Sequence, residues 1–147
     1  MRNSLVPCYI QSAMKNIKRI TKAYAEYIAT FRKSHWLVIT TGGRLTRVRA
    51  RMIMERLIEK FGIETYFWIT EPYYNGGYHI HSCIDAKTSA KRLRIEIEKM
   101  TRGGRTEVEE WQHSKDFRGE QYITKLIDRE CVDYDFGLDS KCHSKQQ

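Results

Sequence analysis

The chain has 147 residues, of which 41% are hydrophobic and 30% charged, and this is the size and composition of one soluble globular domain. No stretch approaches the ~20 apolar residues that span a bilayer, no signal peptide opens the chain, and no G-x-x-x-x-G-K-[ST] loop for ATP phosphates occurs. We therefore expect a single domain that does not enter a membrane and has no nucleotide-driven motor of its own.

Positive charge is concentrated before residue 106. Residues 1–105 contain 20 Lys and Arg against 8 Asp and Glu, a net charge of +12, whereas residues 106–147 contain 6 against 10, a net charge of −4. Each phosphate that a basic side chain neutralises releases a counterion, so a basic surface favours binding to a polyanion. Nucleic acid is the simplest such partner, although a well-solvated basic surface would explain the same charge.

Helices and strands alternate along the predicted chain. Helical spacing of apolar residues predicts four helices, at 8–33, 46–61, 89–101 and 119–130. Runs of β-branched and aromatic residues predict four strands, at 36–40, 65–71, 78–85 and 105–111. Asn75-Gly76 is a strong hairpin signal, and residues 132–147 are predicted to form an acidic tail. This order predicts an α+β protein with a central antiparallel sheet and helices packed on one side.

A pair of histidines lies on the third predicted strand. Side chains alternate along a strand, so His79 and His81 point to the same side, about 7 Å apart. If the hairpin turn centres on Asn75, Glu71 lies opposite His79 and shares its face. Two imidazoles and a carboxylate with open positions are typical of a catalytic metal site. A His-x-His pair on a strand is also common as ordinary hydrogen-bonded histidines, and both interpretations stay open.

The last predicted helix carries Tyr122 and Lys125 at positions i and i+3, which places them side by side on one face. That face adjoins the apolar stripe of Ile123, Leu126 and Ile127, so the two side chains can border a site while the stripe packs. Taken alone, Tyr122 is more simply a tyrosine at the edge of a helix–sheet interface.

Together, His79-Ile80-His81 on a strand and Tyr122-Ile123-Thr124-Lys125 on a later helix resemble two motifs of the HUH endonuclease superfamily. The resemblance is strongest to the rolling-circle replication initiator (Rep) proteins of small single-stranded DNA replicons. The apolar strand at 36–41, which ends in threonine, is similar to the first motif of that family, and the resemblance covers about residues 36–130. Leu126 stands one helical turn after Tyr122, so this helix offers no second tyrosine nucleophile.

The resemblance implies a single HUH endonuclease domain over residues 1–147, with a ferredoxin-like antiparallel sheet of about five strands and a helical extension at 1–35. It also implies that Glu71, His79 and His81 bind Mn²⁺ or Mg²⁺, that Tyr122 is the nucleophile and that Lys125 has an accessory role. The implied reaction is the nicking and rejoining of single-stranded DNA through a 5′-phosphotyrosyl intermediate. That intermediate keeps a phosphodiester, so rejoining needs no ATP.

The implied biological role is to initiate rolling-circle replication of a plasmid or virus in the cytoplasm of a bacterial or archaeal host. The implied partners are single-stranded DNA at an origin hairpin and the polymerase and helicase of the host, and a homodimer is left open. Aromatic side chains near the hairpin are candidates for base stacking: Tyr73, Tyr74 and Tyr78. Basic side chains of the predicted helices are candidate phosphate contacts: Arg44, Arg47, Arg51, Lys91, Arg92 and Arg94.

Two other functions stay open at this point. The first is a single-tyrosine transposase of the same superfamily, although its tyrosine helix more often carries a glutamine than a lysine such as Lys125. The second is a non-catalytic nucleic-acid-binding module of ferredoxin-like shape. A binding module would leave Glu71, His79, His81 and Tyr122 unexplained as a set.

Overall fold

The computed structural model describes residues 21–41, 43–73, 76–112, 118–125, 127 and 132–137. The helices in this part of the chain are α1 (21–29), α2 (Arg47–Phe61), α3 (Ala90–Thr101) and α4 (Arg118–Thr124). The strands are β1 (His35–Ile39), β2 (Tyr66–Pro72), β3 (Tyr78–Ile84), β4 (Thr106–Glu110) and β5 (Tyr134–Gly137).

The five strands of the described residues form one antiparallel sheet in the order β4-β1-β3-β2-β5. The segments β1-α2-β2 and β3-α3-β4 are two split β-α-β units, because a strand of one unit lies between the two strands of the other. This interleaving is the ferredoxin-like arrangement, with β5 added at one edge. The predicted α+β class and the antiparallel sheet of about five strands are confirmed.

Local sequence signals account for the bounds of α2. The side chain of Thr46 accepts a hydrogen bond from the backbone N–H of Arg49 at 3.2 Å, which satisfies one of the free donors of the first turn. Gly62 ends the helix in the left-handed region, with φ of 58°, where a side chain would be strained. The predicted helix at 46–61 is therefore confirmed to within one residue.

The sheet buries both of its faces. Helices α2 and α3 cover one face with a core that includes Leu37, Met54, Leu57, Trp68, Ile80, Ile84, Leu93 and Ile97. Residues of α1 and α4 cover the other face with a second core that includes Ile28, Phe31, Phe67, Ile69, Cys83 and Ile123. The expectation of helices on one side of the sheet is wrong. Neighbouring residues of β2 are apolar on both faces, and each face therefore needs a cover.

The predicted helix at 8–33 ends earlier than expected. It is helical at 21–29, and its first part lies outside the described residues. The side chain of Lys33 turns back to donate hydrogen bonds to the carbonyl oxygens of Ile28, at 2.7 Å, and Phe31, at 2.8 Å. Hydrogen bonds from a lysine side chain to free carbonyl oxygens are a common feature of helix C-termini. None of the helices in the described part has the length and apolar character required to cross a bilayer.

The predicted acidic tail contains a strand. Residues 134–137 form β5, which pairs with β2 at the sheet edge, with Tyr66 opposite Gly137. Just before it, Asp133 accepts two hydrogen bonds from the guanidinium of Arg51, at 2.9 and 2.7 Å. The tail prediction is corrected for these residues, and the positions after 137 lie outside the description.

Candidate active site

The β2–β3 hairpin brings together the three side chains that the sequence proposes as metal ligands. Glu71 is directly opposite His79 in the register, as the hairpin spacing predicts. Oε2 of Glu71 lies 3.2 Å from Nε2 of His79 and 2.6 Å from Nε2 of His81. One donor atom from each residue falls within 4.8 Å of the others. This group could therefore hold a metal ion.

Burial favours the neutral form of both histidines. Burial lowers the pKa of His79, and the negative charge of Glu71 only partly opposes that shift. Burial and the nearby His79 lower the pKa of His81 to about 4. The contacts of Glu71 with these rings are consequently contacts with neutral imidazoles rather than ion pairs. Neutral imidazole is the form that binds metal ions.

The donor set fits a divalent ion. His81 is buried, yet its Nδ1 has no hydrogen-bonding partner among the described residues, and Nδ1 of His79 has none either. Buried polar atoms without partners are uncommon and cost stability. Two imidazole nitrogens and a carboxylate are a ligand set used for first-row divalent ions at open sites.

Lys125 binds the same carboxylate from α4. Its Nζ lies 2.9 Å from Oε1 of Glu71, on the carboxylate oxygen that does not contact the histidines. Burial disfavours the charge on Glu71, but the hydrogen bond from Lys125 and the positive charge of its ammonium oppose this, and the pKa of Glu71 is lowered. Burial likewise acts against the ammonium of Lys125, while its bond to Glu71 raises its pKa. Glu71 and Lys125 are therefore both charged at neutral pH.

Tyr122 lies over this group and is 46% exposed. The ammonium of Lys125 is 3.8 Å from the centroid of the Tyr122 ring, which is a cation–π contact. The ring of Tyr122 meets the ring of His81 edge to face, with centroids 5.2 Å apart. The two motifs that are distant in the sequence thus meet at one place.

Packing beneath α4 determines where Tyr122 lies. Ile123 is buried against the sheet, so its neighbour Tyr122 points to the side of the metal-ligand candidates. Gly119 permits close approach to Trp111, because a Cβ at this position would lie 2.7 Å from the indole ring. A buried ion pair also holds α4 in place, because Oε1 of Glu120 lies 3.3 Å from Nζ of Lys33.

The predicted stacking tyrosines divide between the two faces of the sheet. The ring of Tyr73 is 4.5 Å from that of His79 and 42% of the residue is exposed, so it borders the candidate site. Tyr78 precedes His79 on β3 and points to the opposite face. Tyr74 lies outside the described residues.

Five of the six predicted phosphate contacts lie on helices that cover the face of the sheet opposite this site. Arg44 lies beside the hairpin turn, with its guanidinium next to Gly76. Helices α2 and α3 cover the face opposite the histidines, and they carry Arg47, Arg51, Lys91, Arg92 and Arg94. These five residues therefore lie on the face of the sheet away from Glu71, His79 and His81. Their role as phosphate contacts elsewhere on a bound strand stays a prediction.

Contacts within the protein explain some of these basic residues. Arg51 binds Asp133, as described for the edge strand. The guanidinium of Arg92 is 6.0 Å from the ring centroid of Phe61. Arg94 donates to the carbonyl oxygen of Val108 at 3.5 Å, a long hydrogen bond. These three residues therefore make contacts within the fold in addition to contributing positive charge to the surface.

The sequence did not predict that Trp36, Trp111 and Lys33 lie at or next to this site. Trp36 lies 5.8 Å from His81 and 6.0 Å from Tyr122 between ring centroids, and Trp111 lies 5.7 Å from Trp36. Lys33 holds α4 through Glu120. Trp36 lies two residues before Val38, which is opposite His81 in the register, so Trp36 and His81 share a face of the sheet. Its place on the predicted strand at 36–40 was the only signal that the sequence offered. For Trp111 and Lys33 the sequence carried no comparable signal.

The fold and site define a ferredoxin-like α+β protein with a candidate Glu-His-His metal centre beside a tyrosine. No protein-family model and no curated protein matches the chain. Among solved structures, the chain is similar to the crystal structure of the hypothetical protein ORF119 from Sulfolobus islandicus rod-shaped virus 1. The TM-score is 0.51 at 16% sequence identity, over 74% of this chain and 94% of the viral one. At this identity the similarity concerns the fold alone.

Proposed function

We propose that this protein is a divalent-metal-dependent endonuclease that nicks and rejoins single-stranded DNA through a 5′-phosphotyrosyl intermediate. We further propose that it initiates rolling-circle replication, the role implied by its resemblance to Rep proteins. Glu71, His79 and His81 would hold Mn²⁺ or Mg²⁺, Tyr122 would be the nucleophile, and Lys125 would assist it.

One observation carries the proposal: the contact of Lys125 with both Tyr122 and Glu71. The same ammonium lies 3.8 Å from the Tyr122 ring centroid and 2.9 Å from the Glu71 carboxylate. A potential nucleophile and a potential metal ligand are therefore joined by one cation. Packing alone does not require a tyrosine, a lysine, a carboxylate and two neutral histidines to meet at one half-exposed point.

The reaction follows from the properties of these side chains. The phenol of Tyr122 attacks the phosphorus, a bond from its oxygen to phosphorus forms, and the bond from phosphorus to the 3′ oxygen breaks. The phenol loses one proton and the departing 3′ oxygen gains one, so no net charge is created. The raised pKa of Lys125 keeps its ammonium charged, and this charge favours the phenolate that develops during attack.

A divalent ion bound by Glu71, His79 and His81 would supply Lewis-acid polarisation of the scissile phosphate. The protein contributes a hairpin that brings the three donors together, and the indole of Trp36 packs beside the buried His81, with ring centroids 5.8 Å apart. Rejoining is the reverse of nicking, with the 3′ oxygen as attacking group and Tyr122 as leaving group.

The test is formation of a covalent protein–DNA adduct. Purified protein is incubated with Mn²⁺ and single-stranded oligonucleotides that contain the replicon's own hairpins, and the products are separated under denaturing conditions. The proposal expects a nicked strand with a free 3′-OH and a protein band shifted by covalently attached DNA. The adduct should map to the peptide that contains Tyr122.

The same experiment with EDTA in place of Mn²⁺ is the control for metal dependence. A protein that binds the strands in both buffers and forms no adduct in either is the non-catalytic module. An adduct that maps to Tyr73 instead would reject the role of Tyr122.

A further inference from the structure

A cavity of 410 Å³ is lined by Tyr122 and by residues of β1 and β4, and Glu71 is not among its lining residues. Trp36 and Glu109 are directly opposite each other in the register of β1 and β4, so they share the face of the sheet that carries His81. Trp111 follows on the same face, and Gly119 and Tyr122 close the cavity from α4. The volume lies in the range of about 300–1,000 Å³ found for small-molecule sites.

The walls of the cavity are aromatic. The rings of Trp36 and Trp111 are 5.7 Å apart between centroids and inclined at 40°, and the ring of Tyr122 is 6.0 Å from Trp36. Flat aromatic walls suit a flat aromatic ligand, and stacking on such rings is how proteins hold unpaired bases.

The charge of the cavity restricts which part of a nucleic acid it accepts. Glu109 and Glu110 line the cavity. Carboxylates repel a phosphate, so the sugar–phosphate backbone is disfavoured here. A carboxylate accepts hydrogen bonds from the exocyclic amino group of a base, as glutamate does with N4 of cytosine. Thymine has no amino group.

We propose that this cavity, bounded by Trp36, Trp111 and Tyr122, binds one unpaired base of the substrate strand next to the reacting phosphate. Glu109 selects a base that carries an amino group over thymine. The inference rests on the proposed function for the identity of its ligand. It adds a specificity-determining site that the metal and nucleophile chemistry does not require.

The test is equilibrium binding in EDTA buffer, where no cleavage occurs. The probes are homopolymeric oligonucleotides of dC, dA and dT and an abasic strand of the same length, and binding is followed by fluorescence anisotropy and by tryptophan emission. Trp68 is fully buried in the core on the other face of the sheet, so quenching reports on Trp36 and Trp111. We expect dC and dA to quench the emission and to bind about fivefold tighter than dT.

Two variants identify the cavity. Trp111→Leu should weaken dC binding about tenfold, through loss of stacking. Glu109→Ala should abolish the preference for dC over dT. Glu107→Ala is the matched control, since Glu107 is exposed on the same strand and face, makes the same change in charge and does not line the cavity. The control should keep the wild-type preference.

The inference is overturned if the abasic strand quenches the emission as strongly as dC. It is also overturned if Glu109→Ala keeps the wild-type ratio of dC to dT affinity. Because the assay needs neither metal nor chemistry, its failure leaves the adduct experiment untouched. A base preference without any adduct would reject the nuclease and retain the base-binding cavity.

Discussion

Lys33 and Glu120 form an ion pair that is almost completely removed from solvent. Their charged atoms are 3.3 Å apart, and the exposed fractions of the two side chains are 5% and 2%. The pair connects the segment between α1 and β1 to the helix that carries Tyr122. It is therefore part of what holds the candidate nucleophile over the hairpin.

Replacement of Lys33 should be strongly destabilising. Lys33→Met leaves the carboxylate of Glu120 buried without a counter-charge, and breaking a buried pair in this way costs about 3–5 kcal/mol. Urea denaturation should measure this loss in the free energy of unfolding. Lys33→Met combined with Glu120→Leu should recover much of it, because no uncompensated charge then remains.

The control for this prediction is Arg32→Met. Arg32 pairs with Asp85 at 3.8 Å, but its side chain is 81% exposed, so its loss should cost less than about 1 kcal/mol. Equal effects of the two substitutions would mean that Lys33 is hydrated in solution.

Tyr122→Phe should abolish the adduct and leave the fold unchanged. The substitution removes one oxygen and keeps the ring that contacts His81 and Lys125, so the free energy of unfolding should change by less than about 1 kcal/mol. Binding of Mn²⁺ and of single-stranded DNA should survive. Denaturing gels of the DNA reaction measure the loss.

Tyr73→Phe is the matched control, since Tyr73 also contacts a candidate metal ligand and is exposed to a similar extent. It should form adduct as the wild type does. Lys125→Ala should slow adduct formation without eliminating it. Adduct that persists in Tyr122→Phe would remove Tyr122 from the mechanism.

Removal of the ligand candidates should abolish binding of Mn²⁺. His79→Gln combined with His81→Gln keeps side-chain volume, which matters because His81 is buried. We expect a loss of affinity for Mn²⁺ greater than the roughly 10–100-fold typical of residues that only support metal ligands. Isothermal titration calorimetry of the folded variant measures it.

Glu71→Gln tests the third ligand separately. It should also weaken Mn²⁺ binding, because the amide removes the negative charge that faces both histidines. Unchanged affinity in Glu71→Gln, with loss in the histidine double variant, would assign the third position to another residue.

Arg44 and Arg51 should differ in their effect on DNA binding. The net charge of +12 over residues 1–105 predicts affinity for single-stranded DNA that falls steeply with salt. Arg44 lies at the hairpin beside the site, so Arg44→Ala should reduce the slope of log affinity against log salt by about 1.

Arg51→Ala should leave that salt slope unchanged and instead lower the free energy of unfolding by about 1 kcal/mol, since its pair with Asp133 is partly exposed. Filter binding over a range of salt concentrations and urea denaturation measure the two effects. A lower slope in Arg51→Ala would place DNA on the face covered by α2.

The hairpin shows which part of the site could be predicted from the sequence. A two-residue period and a turn centred on Asn75 were sufficient to pair Glu71 with His79, and the register confirms that pairing. Thr46 and Gly62 similarly marked the ends of α2. These signals are local, and each determines a backbone conformation within a few residues.

The features that were not predicted depend on contacts between distant parts of the chain. The strand β5 has only four residues, and Asp133 just before it binds Arg51, which lies 82 positions earlier in the chain. The same contact removes Arg51 from the set of free basic residues. The association of Trp111 with Gly119 depends on how α4 approaches the sheet, and no periodicity in the sequence reports on it.

All three metal-ligand candidates lie on one hairpin, and this affects the order in which the parts of the site fold. Closing the short loop between Glu71 and His81 costs little chain entropy, and contacts of low sequence separation form early. Tyr122 arrives on a helix that docks across a much longer loop, with Lys33 as its partner. We therefore expect a refolding chain to assemble the cluster of Glu71, His79 and His81 first and to bring Tyr122 to it only afterwards, as a separate late step.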